Sequence, residues 1–205
     1  QEIEIVSEKK SAGVGAIRFK NPTKQTQQFS FSVNRMTAGT PQTAVIRFRI
    51  KKSFITRPKN TSEFTSGGKL PSEVKQFLKP SPYIESNSKE IRKIASTLED
   101  ETLDAWSQVE KNYTWVRDNI EYKFDKQIHS CLRALEVKQG DCEELSSLFI
   151  AICRAQGIPA RAVWIPGHTY PEFYLTDADK NGTWFPCQAA GTYAFGEMPE
   201  PRPIL

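Results

Sequence analysis

The chain of 205 residues has few of the groups that common cofactor and metal chemistries require. Its two histidines and four cysteines form no Cys-x-x-Cys pair and no tight cluster, which argues against a zinc site. No glycine-rich phosphate loop is present, which argues against nucleotide chemistry. No apolar run is long enough to cross a bilayer as a helix. The sequence therefore points away from zinc enzymes, nucleotide-dependent enzymes and membrane-spanning proteins.

The charge of the chain is unremarkable and excludes little. Lysine and arginine number 28 against 24 acidic residues, for a formal net charge of +4. Basic residues such as Lys9 and Lys51 are scattered along the sequence, so nucleic acid is not an expected partner. The chain shows no signal peptide and begins with Gln1 rather than methionine. We therefore expect a processed chain that is periplasmic or secreted.

The sequence changes character after its first quarter. Up to about Pro58, short apolar runs alternate with turn residues, which predicts a small antiparallel β unit with sandwich-like character. Asn60–Gly68 is rich in serine, threonine and glycine and is typical of a linker. We therefore predict a β-rich domain over residues 1–68 and a second domain over 69–205, which ends in a proline-rich tail.

The second part is predicted to contain three long helices. Apolar residues at helical spacing indicate the first two, Ser88–Leu98 and Leu103–Asn119. The third begins after Asp141, a good N-cap residue, and Glu144 three positions later completes a variant of the capping box. Gly157 ends this helix. Its buried stripe is predicted to be Leu145, Leu148, Phe149 and Ile152.

Cys142 stands in the first turn of this third helix. The unpaired N–H groups and the positive end of the helix dipole there favour a thiolate over a thiol. His168 follows on a predicted strand, and an imidazole within reach would make the sulfur an activated nucleophile. Glu143 and Glu144 act in the opposite direction, because a neighbouring negative charge raises the pKa of a thiol.

Several blocks of this region, in this order, resemble the transglutaminase-like superfamily. They are Tyr-Thr-Trp-Val-Arg-Asp-Asn-Ile-Glu-Tyr at 113–122, Gly-Asp-Cys at 140–142, Leu-Phe-Ile-Ala-Ile-Cys-Arg-Ala-Gln-Gly-Ile-Pro-Ala-Arg at 148–161 and His-Thr-Tyr-Pro-Glu-Phe-Tyr-Leu at 168–175. The resemblance covers roughly residues 80–190. It implies an α+β fold, in which a papain-like core of helices packed on an antiparallel sheet follows the small N-terminal antiparallel β domain.

The resemblance also implies a chemistry. Such proteins transfer acyl groups through a thioester on a Cys-His-Asp triad, so Cys142 would be the nucleophile and His168 the general base. Because bacterial members more often resemble thiol proteases, hydrolysis of a peptide or amide bond in a protein or peptide substrate is the preferred function. Crosslinking through glutamine side chains is one alternative, and a binding module that keeps the fold without activity is another. No cofactor or metal is expected, and no calcium loop is present.

The third member of the triad departs from the family pattern. Where the family carries Trp-x-x-x-Asp, this chain has Trp184 followed four positions later by Gln188. The Gln188 carbonyl can accept the Nδ1–H of His168 and hold the ring, but it cannot stabilise an imidazolium by charge. Asp177 and Asp179 are alternative carboxylates in the preceding loop.

Two pairings of the strands around this loop are open. In the preferred one, His168 lies opposite Gln188, a loop covers Thr176 to Lys180, and apolar and functional side chains separate onto opposite faces. In the other, Asn181-Gly182 forms a tight hairpin turn.

The remaining cysteines and the second histidine receive structural interpretations. Cys153 is predicted to be a small buried apolar residue. Cys131 and Cys187 are left open as either thiols or a disulfide. His129 is expected at the surface or at the rim of a substrate site.

Overall fold

The computed structural model describes residues 2–23, 26–51 and 57–197. The chain divides into two compact units, Gln1–Phe54 and Ile55–Leu205. The sequence placed this division later, at residue 68. The predicted proline-rich tail, 198–205, lies outside the described residues.

The N-terminal unit consists of two two-stranded antiparallel sheets. Its strands are β1 (Glu2–Lys10), β2 (Arg18–Thr23), β3 (Thr26–Ser30) and β4 (Ala44–Lys51). β1 pairs with β4, and β2 pairs with β3. The Phe29 ring joins the two sheets, because its centre lies 6.4 Å from that of Phe19 and 5.4 Å from that of Phe48. This arrangement confirms the predicted small antiparallel β domain.

The second unit combines helices with an antiparallel sheet, which confirms the predicted α+β class. Its helices are α1 (Ser72–Lys75), α2 (Lys89–Leu98), α3 (Ala105–Asn119), α4 (Cys131–Val137) and α5 (Cys142–Ala155), with a 3-10 turn at Gln76–Leu78. Its strands are β5 (Glu121–Tyr122), β6 (Gln139–Gly140), β7 (Ala160–Ile165), β8 (His168–Thr176) and β9 (Gly182–Pro186). β5 and β6 form a short parallel pair, and β7, β8 and β9 form an antiparallel sheet in that order. No helix among the described residues is long and apolar enough to span a membrane.

Capping residues fix where the helices begin. Ser88, Asp104 and Ser130 precede α2, α3 and α4, and the side-chain oxygen of each accepts a first-turn backbone N–H. Such a bond satisfies one of the four N–H groups that a helix leaves unpaired at its start. At the other end of α5, Gly157 adopts a left-handed conformation with φ of 78°, which explains why that helix stops where the sequence predicted.

The α5 helix lies at the centre of the second unit. The sequence predicted a single buried stripe, whereas every residue from Glu144 to Arg154 is buried. The reason is tertiary: α2, α3 and α4 contact this helix, and so do β7 and β8. The core around it is formed by Trp106, Leu148, Phe149, Ile152, Phe173 and Phe185.

The segment that resembled a linker is attached to this unit. Thr65 forms an isolated β-bridge with Thr176 at the end of β8, with backbone hydrogen bonds of 2.9 and 3.0 Å. The Phe64 ring packs edge-on against that of Phe185, at 5.1 Å between centres.

The register of the sheet decides between the two predicted pairings. Phe173 lies opposite Phe185 and Thr176 opposite Gly182, so a loop over 177–181 joins β8 to β9. The tight turn at Asn181-Gly182 is therefore wrong. The preferred grouping of side chains into faces is correct, but the strands are offset by two residues from a direct pairing of His168 with Gln188.

The strand β8 is buried on both of its faces. On the face away from α5, the carboxylate of Glu172 lies 2.6 Å from the guanidinium of Arg161. That guanidinium is stacked 4.1 Å from the centre of the Trp184 ring. An ion pair and an aromatic ring therefore cover this second face of the sheet.

Candidate active site

The start of α5 is fixed by a complete capping box. The side chain of Asp141 accepts the Glu143 N–H at 3.0 Å, and the Glu144 carboxylate accepts the Asp141 N–H at 3.0 Å. The second oxygen of Glu144 accepts the backbone N–H of His129 at 2.6 Å. Cys142, the first residue of the helix, is therefore held by bonds on both sides of it in the sequence.

Gly140 allows the chain to approach this helix closely. A Cβ at this position would lie 2.6 Å from the Cβ of Glu144, which is closer than two non-bonded carbon atoms can approach. Each residue of the Gly-Asp-Cys motif thus has a physical role. Glycine permits the close approach, aspartate caps the helix, and cysteine occupies its first position.

The thiol of Cys142 is partly buried and hydrogen-bonded. Its Sγ donates to Oε2 of Glu143 at 2.9 Å. The nearby backbone N–H of Thr169 lowers the pKa of the thiol. Burial raises that pKa more strongly, and the bond to Glu143 raises it further, to about 12. The negative neighbour that the sequence indicated therefore acts on the thiol through a direct hydrogen bond, and burial adds to its effect.

His168 and Gln188 meet at the start of β8. Their side chains lie 2.6 Å apart, between Nε2 of the ring and Oε1 of the amide. The sequence predicted this contact at Nδ1, so the correct residue holds the ring by the other nitrogen. Gln188 is only 2% exposed, whereas His168 is partly accessible. The Nδ1 atom has no hydrogen-bond partner among the described residues and is available for a second contact.

Backbone groups of β8 place His168 close to Cys142. Thr169, whose backbone N–H is near enough to the Cys142 sulfur to lower the pKa of the thiol, directly follows His168 in the chain. Its carbonyl oxygen accepts the hydroxyl of Ser146 from α5 at 3.3 Å. The structure therefore groups Cys142, His168 and Gln188 where the start of α5 meets the start of β8, and their catalytic roles remain predictions.

The alternative carboxylates lie elsewhere. Asp177 follows the last residue of β8, and its side chain accepts the backbone N–H of Asn181 at 2.8 Å. Asp179 is in the same loop. A nine-residue strand, about 27 Å long, separates this loop from His168 at the other end of β8. These aspartates are therefore not placed to orient the ring.

The other cysteines are buried thiols. All four cysteines are free, so Cys131 and Cys187 do not form a disulfide. Cys131 donates to the Glu85 carboxylate at 2.9 Å, and burial followed by this bond raises the pKa of its thiol far above the usual range. Cys153 is fully buried in the core, as predicted.

His129 belongs to the surround of the helix cap. Its Nε2 pairs with Asp125 at 3.1 Å, and its side chain is 22% exposed. The Asp125 N–H in turn contacts the Asp141 carboxylate at 3.4 Å. This matches the expected position near the surface and beside the site.

Two residues near the sulfur were not singled out as contacts by the sequence. Tyr122 of β5 is 55% exposed, and the charges of Cys142, Asp141 and Glu143 contribute to raising the pKa of its phenol, after burial. Glu143 was recognised only as a negative neighbour, although its carboxylate accepts the thiol proton directly. The one sequence signal for Tyr122 was its position at the end of the family-like block 113–122.

The acidic groups of the helix cap form one tight cluster with the thiol. Single ligand-type atoms of Asp141, Cys142 and Glu143 lie within 4.8 Å of one another, the one such group among the described residues. The cap bonds and the thiol hydrogen bond account for this closeness. The cluster therefore carries no argument for a metal ion.

A cysteine at a helix N-terminus and a histidine held by a buried amide thus lie in a protein of helices packed on an antiparallel sheet, the α+β class. Residues 92–189 match the family model of the transglutaminase-like superfamily. This part of the chain therefore has a transglutaminase-like fold, and the resemblance seen in the sequence is confirmed.

The fold is similar to that of a solved protein from Cytophaga hutchinsonii that was named a candidate cysteine protease. The TM-score is 0.55 at 22% sequence identity, so the likeness concerns the fold alone. It covers 91% of this chain and 66% of that chain, so this chain spans just under two thirds of its neighbour's length. No curated protein matches the chain.

Proposed function

We propose that this protein is a cysteine peptidase or amidase that hydrolyses peptide or amide bonds in protein or peptide substrates. The superfamily and the fold support a thiol-dependent enzyme. The observation that carries the proposal is the grouping of Cys142, at the first position of α5, with a His168 ring whose Nε2 lies 2.6 Å from Gln188.

The reaction would proceed through a thioester. The Cys142 sulfur attacks the substrate carbonyl carbon while its proton passes to His168, and a C–S bond forms. The negative charge that develops on the carbonyl oxygen is stabilised by the Cys142 backbone N–H, one of the first-turn groups without an intrahelical partner. Losing one such donor typically raises a barrier by about 3–4 kcal/mol. His168 then protonates the leaving amine, the C–N bond breaks, and water hydrolyses the thioester to the acid and the free thiol.

Gln188 would act as a positioning residue for His168. An amide oxygen fixes the orientation of the ring, as a carboxylate does, but it adds no charge to stabilise the imidazolium. We therefore expect a slower enzyme than one with aspartate at this position.

The state of the thiol favours a second candidate function, a binding module without catalytic activity. A thiol with a pKa of about 12 that donates to a carboxylate is a poor nucleophile at neutral pH. This candidate predicts a Cys142 whose reactivity does not depend on His168.

Turnover in the presence of a competing amine separates these functions. The protein would be incubated with an unfolded protein substrate, with and without a primary amine, and the products identified by mass spectrometry. New chain termini or deamidated glutamines that vanish in Cys142→Ala and in His168→Ala support hydrolysis. If the main product carries the added amine, the function is glutamine crosslinking rather than hydrolysis. No product, together with equal alkylation of Cys142 in the wild type and in His168→Ala, would refute the enzymatic function.

A further inference from the structure

The two glutamates that follow Cys142 have different roles in the structure. Both carboxylate oxygens of Glu144 accept backbone N–H groups, so that side chain is fixed in the helix cap. Glu143 is partly exposed, and its Oε2 accepts the proton of the Cys142 thiol at 2.9 Å. Neighbours in sequence are thus divided between a structural bond and a bond to the nucleophile.

The groups around the sulfur come from three elements. The start of α5 contributes the carboxylates of Asp141 and Glu143, and β5 contributes the Tyr122 phenol. The strand β8 contributes the Thr169 N–H, and His168 is the preceding residue of that strand. The carboxylates disfavour an anionic sulfur, whereas the N–H and a protonated imidazole favour it. Among the residues that the structure describes, the Glu143 carboxylate is the group that accepts the thiol proton.

We propose that Glu143 holds Cys142 as a thiol in the resting protein, and that the nucleophile forms only when this carboxylate turns away from the sulfur. The proposal rests on the nucleophilic role of Cys142 in the proposed function. When the Glu143 side chain rotates away from the sulfur, the S–H group can turn towards His168. The proton then passes from the sulfur to the imidazole, which gives a thiolate and an imidazolium. Glu143 is then a restraining residue that acts through Cys142 and has no part in the bond-making steps.

The Glu143 side chain can rotate without disturbing the helix cap, because the cap does not depend on that side chain. The helix cap is built from Asp141 and Glu144, which are 3% and 1% exposed, and Glu143 contributes only its backbone N–H to that cap. Rotation of the Glu143 side chain towards solvent therefore breaks the bond to the thiol and leaves the capping box in place. The high pKa of the thiol, caused first by burial and then by the Glu143 bond, agrees with a protonated resting state.

The test is the pH dependence of Cys142 alkylation by iodoacetamide, followed by mass spectrometry of the peptide that contains it. Wild type, Glu143→Gln and Glu143→Ala are compared with Glu136→Gln, a control that removes an exposed carboxylate from α4. Retained protection of the buried Cys131, Cys153 and Cys187 reports that each variant is folded.

We expect both Glu143 variants to react at least tenfold faster than the wild type at pH 7, with the midpoint of the pH profile moved to lower pH. The Glu136 variant should follow the wild-type profile. Superimposable profiles for the wild type and both folded Glu143 variants would overturn the proposal. Faster alkylation in the Glu143 variants without any substrate turnover would uphold the restraint while the proposed hydrolysis fails. Substrate turnover with unchanged alkylation profiles would uphold the proposed hydrolysis and overturn the restraint by Glu143.

Discussion

Replacing Gln188 by alanine tests how the histidine is held. The Gln188 side chain is buried, and its Oε1 lies 2.6 Å from His168 Nε2. Alanine removes this partner and leaves a ring nitrogen in a buried site without its hydrogen bond, at a cost of about 1–3 kcal/mol. Loss of the buried side-chain methylene adds about 0.8 kcal/mol. We expect the free energy of unfolding to fall by about 3 kcal/mol, which lowers Tm by about 6–12 °C in a domain of this size.

The functional effect of the same change is an unrestrained imidazole. Circular dichroism melting gives Tm, and turnover of the peptide or amide substrate gives the activity. We expect turnover to fall at least tenfold, because His168 no longer keeps the orientation in which Nδ1 is available. The matched control is Gln127→Ala, which removes an exposed glutamine from the loop before α4.

A particular pair of results would refute this reasoning. If Gln188→Ala melts within about 2 °C of the wild type and keeps its activity, the 2.6 Å contact neither stabilises the fold nor positions the ring. Loss of activity with an unchanged Tm would assign Gln188 to positioning alone.

Three further predictions concern the frame of the site. Gly140→Ala should lower the free energy of unfolding by about 1–3 kcal/mol, because its Cβ would lie 2.6 Å from a side-chain carbon of α5. The control is Gly67→Ala, which has open space around the added Cβ and should leave Tm unchanged in thermal melts. Arg161→Met should cost about 2–3 kcal/mol in urea unfolding, since it leaves Glu172 unpaired in a mostly buried position, and the added Glu172→Leu change should recover most of the loss. The third prediction concerns the pKa of Asp141, which burial raises but which hydrogen bonds with the first turn of α5 lower more strongly, so that the pKa lies below its usual value. The Asp141 carboxylate therefore stabilises the fold above the unfolded-state pKa of about 3.9, and this stabilisation is lost as pH falls through the lower folded-state pKa. Asp141→Asn should therefore lose less Tm than the wild type between pH 5 and pH 3, and an equal loss in both would contradict this origin.

The start of α5 was readable in the sequence because its determinants are local. An N-cap, its capping-box partner and the residue between them are fixed by the geometry of one helical turn. Asp141, Glu144 and the place of Cys142 therefore follow from spacing alone, as does the end of the helix at Gly157. The family blocks added His168 and Gln188 in the correct order along the chain.

The sequence did not determine which atoms of these residues meet. The ring of His168 is held through Nε2, and the strands are offset by two residues from the predicted pairing, because packing on α5 and the bridge to Thr65 set the register. Alternation along a strand specifies the face of a side chain but not its partner across the sheet, since a shift of two residues preserves every face.

Burial was likewise decided by the tertiary structure. A helix that is flanked by three helices and a sheet is buried on all sides, although its sequence period indicates only its most apolar stripe. The contact made by Glu143 was also visible only in the structure. The sequence placed Glu144 in the capping box and showed Glu143 as a negative neighbour of the thiol, and the structure directs the Glu143 carboxylate to that thiol. The sequence by itself determined where α5 begins and ends and predicted the residues of the site, because these signals lie within a few positions of one another. Only the tertiary structure decided how deeply these residues are buried and how His168 meets Gln188, because packing brings together segments that are far apart in the chain.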